Sequence, residues 1–371
     1  MKPNHRPVKK QVIIQVVQHL RPGGIETMAL DLLNQLKDRA DIYIFSLEGT
    51  KEKAITEWPR LANIASQLYF FNKKPGLTPS LITRLIERFK SLNATAIHSH
   101  HIGPLLYAGI AAKWLQIPQV HTEHDAWHLN ATANRRLQRI LLHLLKPTLV
   151  ADCDAVAEDL CHYFPHSKPE IILNGIDTHR FLPASSAEKQ RSRNKLKLPN
   201  HGTLIGCAAR LESVKGHEFL LKALSKTHAD ISLALAGSGS LRKHLEQIAD
   251  SLGIRDRVYF LGHLDDTLPF YQAIDLFCLP SLNEGLPLSP LEAQACGVPA
   301  IVTDVGGSRS IVCPKSGDII SAGSAQAIQH AILRQHFMPS RSSPRQFVLD
   351  TGNLEKTALA YFNLLNTAKG A

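Results

Sequence analysis

Leu276-Phe277-Cys278-Leu279 runs directly into Pro280-Ser281-Leu282-Asn283-Glu284-Gly285-Leu286-Pro287-Leu288-Ser289-Pro290-Leu291-Glu292-Ala293. The first four residues form an apolar run bounded by turn formers, as suits a strand buried on both faces of a parallel sheet. A polar loop comes next, and then the start of a helix over Ser289–Ala295. A helix beginning offers free N–H groups and the positive end of its dipole, so it favours phosphates. Pro287 and Pro290 carry no N–H, which leaves Gly285, Leu286, Leu288 and Ser289 as the donors. Glu284 falls in the loop and Glu292 on the first turns of the helix, so both carboxylates face one ligand from different heights. Carboxylates accept hydrogen bonds from sugar and ribose hydroxyls. The plainer reading of Glu292 is a partner for the helix dipole.

The same strand–loop–helix unit recurs in both directions along the chain. Upstream in the same half, strands are expected at Leu204–Ala209, Ser232–Ala236 and Val258–Phe260, and downstream at Ala300–Thr303. Helices are expected at Glu218–Ser225, Leu241–Leu252, Leu268–Ala273 and Ala325–Arg334. The first half repeats the alternation, with strands at Gln11–Val17, Ile42–Ser46, Ala96–His98, Gln119–His121 and Thr148–Asp152. Its helices include Ile25–Lys37, Ser80–Leu92 and Ala133–Leu145. Short β-rich runs alternating with amphipathic segments imply parallel sheets covered by helices. The two similar halves give an α/β protein of two Rossmann-like domains facing across a cleft. The boundaries are expected at 1–172 for the first domain and 173–349 for the second. A last amphipathic helix at Asn353–Ala368 follows the Pro/Ser/Arg-rich stretch Pro339–Arg345 and returns residues 350–371 to the first domain.

Composition narrows the class. The chain has 371 residues, 44% hydrophobic and 20% charged, which suits two soluble domains with their own cores. Order is expected throughout except at Met1–Lys10 and Lys369–Ala371. The net charge of +10 favours anionic partners such as phosphorylated substrates or acidic lipid. The chain has no long Lys/Arg run and no basic patch interleaved with aromatics, so nucleic acid is not an expected partner. No apolar stretch approaches the roughly 18–20 residues that span a bilayer. The short run Val12–Val17 reads as a first strand rather than a signal peptide. Six cysteines without C-x-x-C spacing, mostly in apolar settings, read as buried reduced thiols of a cytoplasmic protein.

Other chemistry-bearing segments sit at strand ends. Gly23-Gly24-Ile25-Glu26 lies between the first strand and first helix. There a glycine pair serves either a tight turn with positive φ or close backbone approach to a ligand. Arg210 and Lys215-Gly216 follow the strand at Leu204–Ala209, where a planar fork and a point charge either converge on one diphosphate or belong to a solvated loop. Ala236-Gly237-Ser238-Gly239 is a backbone turn with too few glycines for a P-loop. His98, His100, His101, His121, Glu123, His124, Asp125 and His128 form two histidine-rich clusters after strands of the first half. A metal is not expected there, because no H-E-x-x-H occurs and the spacing fixes no geometry. The other readings are a histidine that donates to a developing charge and a hydrogen-bonded core histidine.

Taken in order, these motifs resemble the retaining glycosyltransferases of family 4, whose fold is called GT-B. Gly23-Gly24-Ile25-Glu26 resembles that family's first-domain glycine loop, and Gln119–Asp125 its strand ending in histidine. Asn174-Gly175-Ile176-Asp177 resembles its N-G-[IV]-D signature. Ala209–Gly216 resembles G-R-x-x-x-x-K-G, with Ala209 where Gly is usual. Phe260-Leu261-Gly262, Glu284–Glu292, Cys296–Pro299 and Asp304–Gly307 complete the series. The stretch after Gly307 is shorter than usual.

The resemblance implies that Arg210 and Lys215 hold the donor diphosphate, Glu292 the ribose, and Glu284 the sugar hydroxyls. His124 approaches the donor sugar, with His121 as the second choice, and Gly24 lets backbone near the phosphates. Gly23, Gly237, Gly262, Gly285, Leu286 and Leu288 complete the donor-binding set, with Arg210, Lys215, Glu284 and His124 as the catalytic set. It further implies a nucleotide-sugar donor, a UDP-sugar first of all, with no metal and no cofactor. The acceptor is expected to be a saccharide or lipid-linked saccharide of bacterial lipopolysaccharide or surface polysaccharide. Contact with anionic membrane at the cytoplasmic face of the inner membrane would be peripheral, through Arg135, Arg136, Arg139, Arg84, Arg88 and Lys90. The alternative is a sugar-nucleotide-binding protein of the same fold without catalysis.

Overall fold

The computed structural model describes residues 10–338 and 343–367. The expected disorder at Met1–Lys10 and Lys369–Ala371 lies outside them, apart from Lys10. The chain divides into two compact units, one of residues 1–173 with 354–371 and the other of residues 174–353.

The first unit is built on a seven-stranded parallel sheet. Its strands are β1 (Gln11–Val17), β2 (Ala40–Ser46), β3 (Leu68–Phe70), β4 (Ala96–His100), β5 (Gln119–Glu123), β6 (Thr148–Ala151) and β7 (Glu170–Ile171). They lie in the order β3-β2-β1-β4-β5-β6-β7, so the winding direction reverses between β1 and β4. Every residue of β1 is buried, as a central strand covered on both faces requires. Alternate residues serve opposite faces. Ile13 and Val17 pack with Met28, Leu32 and Leu36 of the helix Gly24–Leu36, and with Ala358, Tyr361 and Leu365 of the last helix, Leu354–Thr367. Ile14 and Val16 face Phe45, Leu81, Leu85, Phe89, Tyr107 and Ala108. Gln11 and Gln15 are tolerated because each donates to a helix carbonyl, Leu365 O at 3.1 Å and Ala29 O at 2.8 Å.

The second unit carries six parallel strands, β8 (Thr203–Ala208), β9 (Ile231–Ala236), β10 (Val258–Gly262), β11 (Leu276–Leu279), β12 (Ala300–Thr303) and β13 (Asp318–Ile320). Their order is β10-β9-β8-β11-β12-β13, with the reversal between β8 and β11. The helix Arg345–Thr351 belongs to this unit. Arg345 donates to Phe181 O at 2.7 Å, Ala295 O at 2.6 Å and Thr178 O at 2.9 Å. Three carbonyl contacts from one guanidinium tie that helix down, so the crossing back to the first unit comes after Asn353 rather than at residue 350.

Three edge strands, β3, β7 and β13, fall outside the expected set. Each has two or three residues, too short to show a period. All six cysteines are free; five are buried and Cys161 is exposed.

Candidate active site

In open α/β sheets ligands sit at the carboxyl ends of strands where the winding reverses. In the second unit that place lies between β8 and β11. The loop after β8 carries Arg210 to Gly216, and the loop after β11 carries Pro280 to Leu288. Because the strands are neighbours, the loops meet: Leu282 N–H donates to Val214 O at 2.7 Å. Gly216, at φ 65°, lies so close to Pro280 that an added Cβ would stand 2.1 Å from its carbonyl oxygen. Only glycine permits both the left-handed backbone and that approach.

The contact brings Lys215 Nζ to 2.6 Å from Glu284 Oε1. Ser281 Oγ donates to the same oxygen at 2.6 Å, and Thr303 Oγ1 fixes the loop through Ser281 O at 2.6 Å. Glu284 is buried and its charge is compensated by the ammonium. From above, Gly306 seals the loop at φ 51°, where a Cβ would lie 1.9 Å from Glu284 O, and Gly307 N–H donates to Gly285 O at 2.7 Å.

Glu292 lies in the first turn of the helix Ser289–Ala295 and accepts from Tyr271 Oη at 2.6 Å. Burial, reinforced by the Glu292 charge, holds the Tyr271 hydroxyl well above its ordinary value, so it stays a donor. The N–H groups of Gly285, Leu286, Leu288 and Ser289 donate to nothing among the described residues. Arg210 is exposed and makes no side-chain hydrogen bond or ion pair among them. Gly237, at φ 145°, packs under Ala209 O and donates to Gly262 O at 2.7 Å. Neither Tyr271 nor Ser281 is marked by any sequence signal as a partner of the two glutamates. Tyr271 reads as one more apolar position of a short helix, and only the packing of that helix aims its hydroxyl.

In the first unit the reversal lies between β1 and β4. Gly23 caps the helix Gly24–Leu36 with extended backbone, and neither Gly23 nor Gly24 has positive φ, so the tight-turn reading fails. Gly24 is exposed, and a Cβ there would meet nothing within 4 Å. Open space above a helix beginning suits a close ligand approach.

The histidines differ from the expected loop clusters. β4 and β5 each run two residues further than their patterns suggest, so His98, His100, His121 and Glu123 lie within strands. Each has at least one polar atom paired, while His98 Nδ1, His100 Nε2 and Glu123 Oε2 are buried without a hydrogen-bond partner. His98 Nε2 meets Thr122 Oγ1 at 2.8 Å, and Thr122 Oγ1 meets Tyr361 Oη at 3.2 Å. His121 bridges Ser99 Oγ at 2.9 Å and Glu123 Oε1 at 2.8 Å. With both nitrogens engaged inside the sheet, His121 is a core histidine and has no face for a sugar. His124 is 6% exposed, and its nitrogens meet His100 Nδ1 at 3.0 Å and Asp152 Oδ2 at 3.3 Å. Burial pushes His98 down to about 3 and His100 well below its ordinary value, so both rings are neutral. His128 stands apart. Burial opposes its charge, but the Asp125 carboxylate beside Nδ1 and the Glu123 carboxylate beside Nε2 raise it to about 9. The histidines of this edge that reach the surface are His101 and His128, at 29% and 17% side-chain exposure.

Residues 22–180 match the family described as Glycosyltransferase Family 4, and residues 188–338 match Glycosyl transferases group 1. A D-inositol 3-phosphate glycosyltransferase of Corynebacterium jeikeium is 30% identical over 320 residues, covering 77% of this chain and 76% of that protein. The chain belongs to the family 4, group 1 glycosyltransferases. An O-antigen biosynthesis glycosyltransferase of Escherichia coli, WclY, is 25% identical over 305 residues, covering 79% and 80% of the two chains. The crystal structure of Anabaena HepE in complex with UDP-glucose shares the fold, with a TM-score of 0.83 and 20% identity over 96% of this chain and 99% of that one. The glycosyltransferase therefore has the GT-B type of fold. Its family motifs Ala209–Gly216 and Glu284–Glu292 are the two loops that meet beside β8 and β11.

Proposed function

We propose that this glycosyltransferase moves a sugar from a nucleoside diphosphate sugar, a UDP-sugar first of all, to a hydroxyl of a saccharide or lipid-linked saccharide, with anomeric configuration retained. The observation that carries the reading is the 2.6 Å contact of Lys215 with Glu284 beside the undonated N–H groups of Gly285, Leu286, Leu288 and Ser289. In this reading Lys215, Arg210 and those N–H groups take up the charge that develops on the departing diphosphate. That is the work a divalent metal would do, so none is needed at the phosphates. Glu284 orients the sugar hydroxyls, and Glu292, held by Tyr271, takes the ribose. Gly237 and Gly262 keep the neighbouring backbone close to the donor. The family resemblance assigns His124, Gly23 and Gly24 of the first unit to the same reaction.

Retention follows the family resemblance. A UDP-sugar follows from the fold shared with a protein crystallised with UDP-glucose, and a surface-polysaccharide or lipopolysaccharide acceptor from the O-antigen relative. We also propose peripheral attachment to anionic membrane. The helix Thr132–Leu145 exposes Ile140 and Leu144 along with Arg136 and Arg139, and no helix among the described residues is long and apolar enough to cross a bilayer.

The test is a thermal-shift screen over nucleotide sugars, followed by transfer of the labelled donor. A productive donor raises the melting temperature and its sugar appears on an acceptor with unchanged anomeric configuration. Inverted product would overturn retention. A bound donor with neither transfer nor hydrolysis would favour the non-catalytic alternative.

A further inference from the structure

We propose that His101, Glu123 and His128 of the first unit form a binding site for a divalent transition-metal ion of the zinc type. The proposal does not rest on the reading of the donor site.

The site stands on an unpartnered atom. Glu123 is fully buried, and its two oxygens have different fates. Oε1 accepts from His121 Nε2 at 2.8 Å and Gln138 Nε2 at 2.6 Å. Oε2 is buried and has no hydrogen-bond partner. Burying a carboxylate oxygen without a hydrogen bond is costly, and this one, unlike the other unbonded atoms of the edge, is ringed by metal-ligating groups. Two imidazoles face Oε2, through His101 Nδ1 and His128 Nε2, each at 3.9 Å. That separation is too long for a hydrogen bond. It suits ligands of one ion: with bonds of about 2.1 Å, neighbouring donors around zinc stand roughly 3.4 Å or more apart. One donor atom from each of the three residues lies within 4.8 Å of the other two, so a small side-chain adjustment closes the set.

Chemistry selects the ion. Two nitrogens and one carboxylate oxygen match the His/Glu set of zinc sites that keep an open position, whereas magnesium and calcium prefer oxygen alone. Glu123 and the nearby Asp125, 3.7 Å from His128 Nδ1, supply two negative charges for a divalent cation. The hydrogen bonds to Glu123 Oε1 fix the carboxylate from behind, as outer partners do in metal centres. On binding, His128 releases its Nε2 proton to solvent, and Nε2 exchanges its 2.8 Å contact with Gln138 Oε1 for the ion, so uptake falls as pH is lowered.

The backbone adds to the case. His101 sits at φ 67°, ψ 166°, a region populated almost only by glycine, at a cost of about 1–3 kcal/mol. A strained residue at a strand end is kept when its side chain has work there.

The experiment uses the untagged full chain, dialysed free of metal and titrated with Zn2+ by calorimetry and with Co2+ by visible absorption. One ion per chain is expected, with the cobalt bands of a low-coordinate nitrogen–oxygen site. His101→Gly removes a ligand while relieving the strained backbone, so it folds at least as well. It should weaken Zn2+ binding by more than the ~10- to 100-fold typical of losing an outer partner. His128→Gln should do the same. No binding by the wild-type chain, or binding unchanged in His101→Gly, overturns the proposal.

Discussion

The two sheets are alike in winding and opposite in what they place at their carboxyl ends. In the first unit that edge is a chain of buried imidazoles, two of them held neutral by burial and threaded through Thr122, Ser99, Glu123 and Asp152. In the second it is one ammonium, two carboxylates and a row of undonated N–H groups. The first edge links its side chains to one another, although His98 Nδ1, His100 Nε2, Glu123 Oε2 and His128 Nδ1 remain buried without a hydrogen bond. The second keeps donors in reserve. A sheet edge that spends its hydrogen bonds internally gains rigidity, whereas one that withholds them has capacity for an anion.

The contrast breaks most directly at Lys215. Lys215→Ala should lower transfer of labelled donor by about 100- to 1000-fold, because the charge facing the diphosphate is lost. Turnover near the wild-type rate would remove the distinction between the two edges. Gly306→Ala comes next. Its Cβ would lie 1.9 Å from Glu284 O in a backbone at φ 51°, and an unfolding midpoint shift equivalent to about 3 kcal/mol is expected in denaturant. Gly24→Ala, with nothing within 4 Å, should leave stability within about 0.5 kcal/mol, so equal effects at both glycines would contradict the packing described.

Tyr271→Phe sharpens the comparison at Glu292. Losing a hydrogen bond to a carboxylate should raise the donor KM about tenfold with kcat little changed. A fall in kcat alone would move Glu292 from binding to chemistry.

Acid probes both units together. His98 in the first and His217 in the second are held by burial at about 3 and about 4, below the ordinary 6.5. A folded value depressed below the unfolded one means that the unfolded chain takes up the proton first. The stability is complete above pH 6.5 and is lost as pH falls toward 4, at up to ~1.4 kcal/mol per pH unit for each histidine. His217→Gln should flatten the acid limb for the second unit. An unchanged limb would show that His217 is not neutral in the fold. His101→Gly should stabilise the metal-free chain by about 1 kcal/mol, seen as a rise in melting temperature.

Much of the architecture is legible in the residues. Leu276–Leu279 and Ala300–Thr303 have the expected bounds, because uninterrupted apolar runs beside Pro280 and Pro299 leave little choice. That the loop from Pro280 to Leu288 brings a carboxylate and free N–H groups to the start of the helix Ser289–Ala295 is readable from Glu284, Gly285 and the two flanking prolines. The short edge strands are not, since two or three residues carry no period. The histidine strands run longer than their pattern implies because imidazoles look polar in sequence, and only their cross-strand partners make burial tolerable.

By itself, then, the sequence determined that there are two parallel α/β units and which loops carry the cations, carboxylates and glycines, since periodicity and residue chemistry are local properties. Tertiary structure alone decided that Lys215 meets Glu284, that Tyr271 holds Glu292, that His121 is sealed inside, and that Glu123 Oε2 faces His101 and His128. Each of these depends on which strands become neighbours and how far each strand runs before it turns. Those outcomes are settled by packing across the sheet, between residues far apart in the chain.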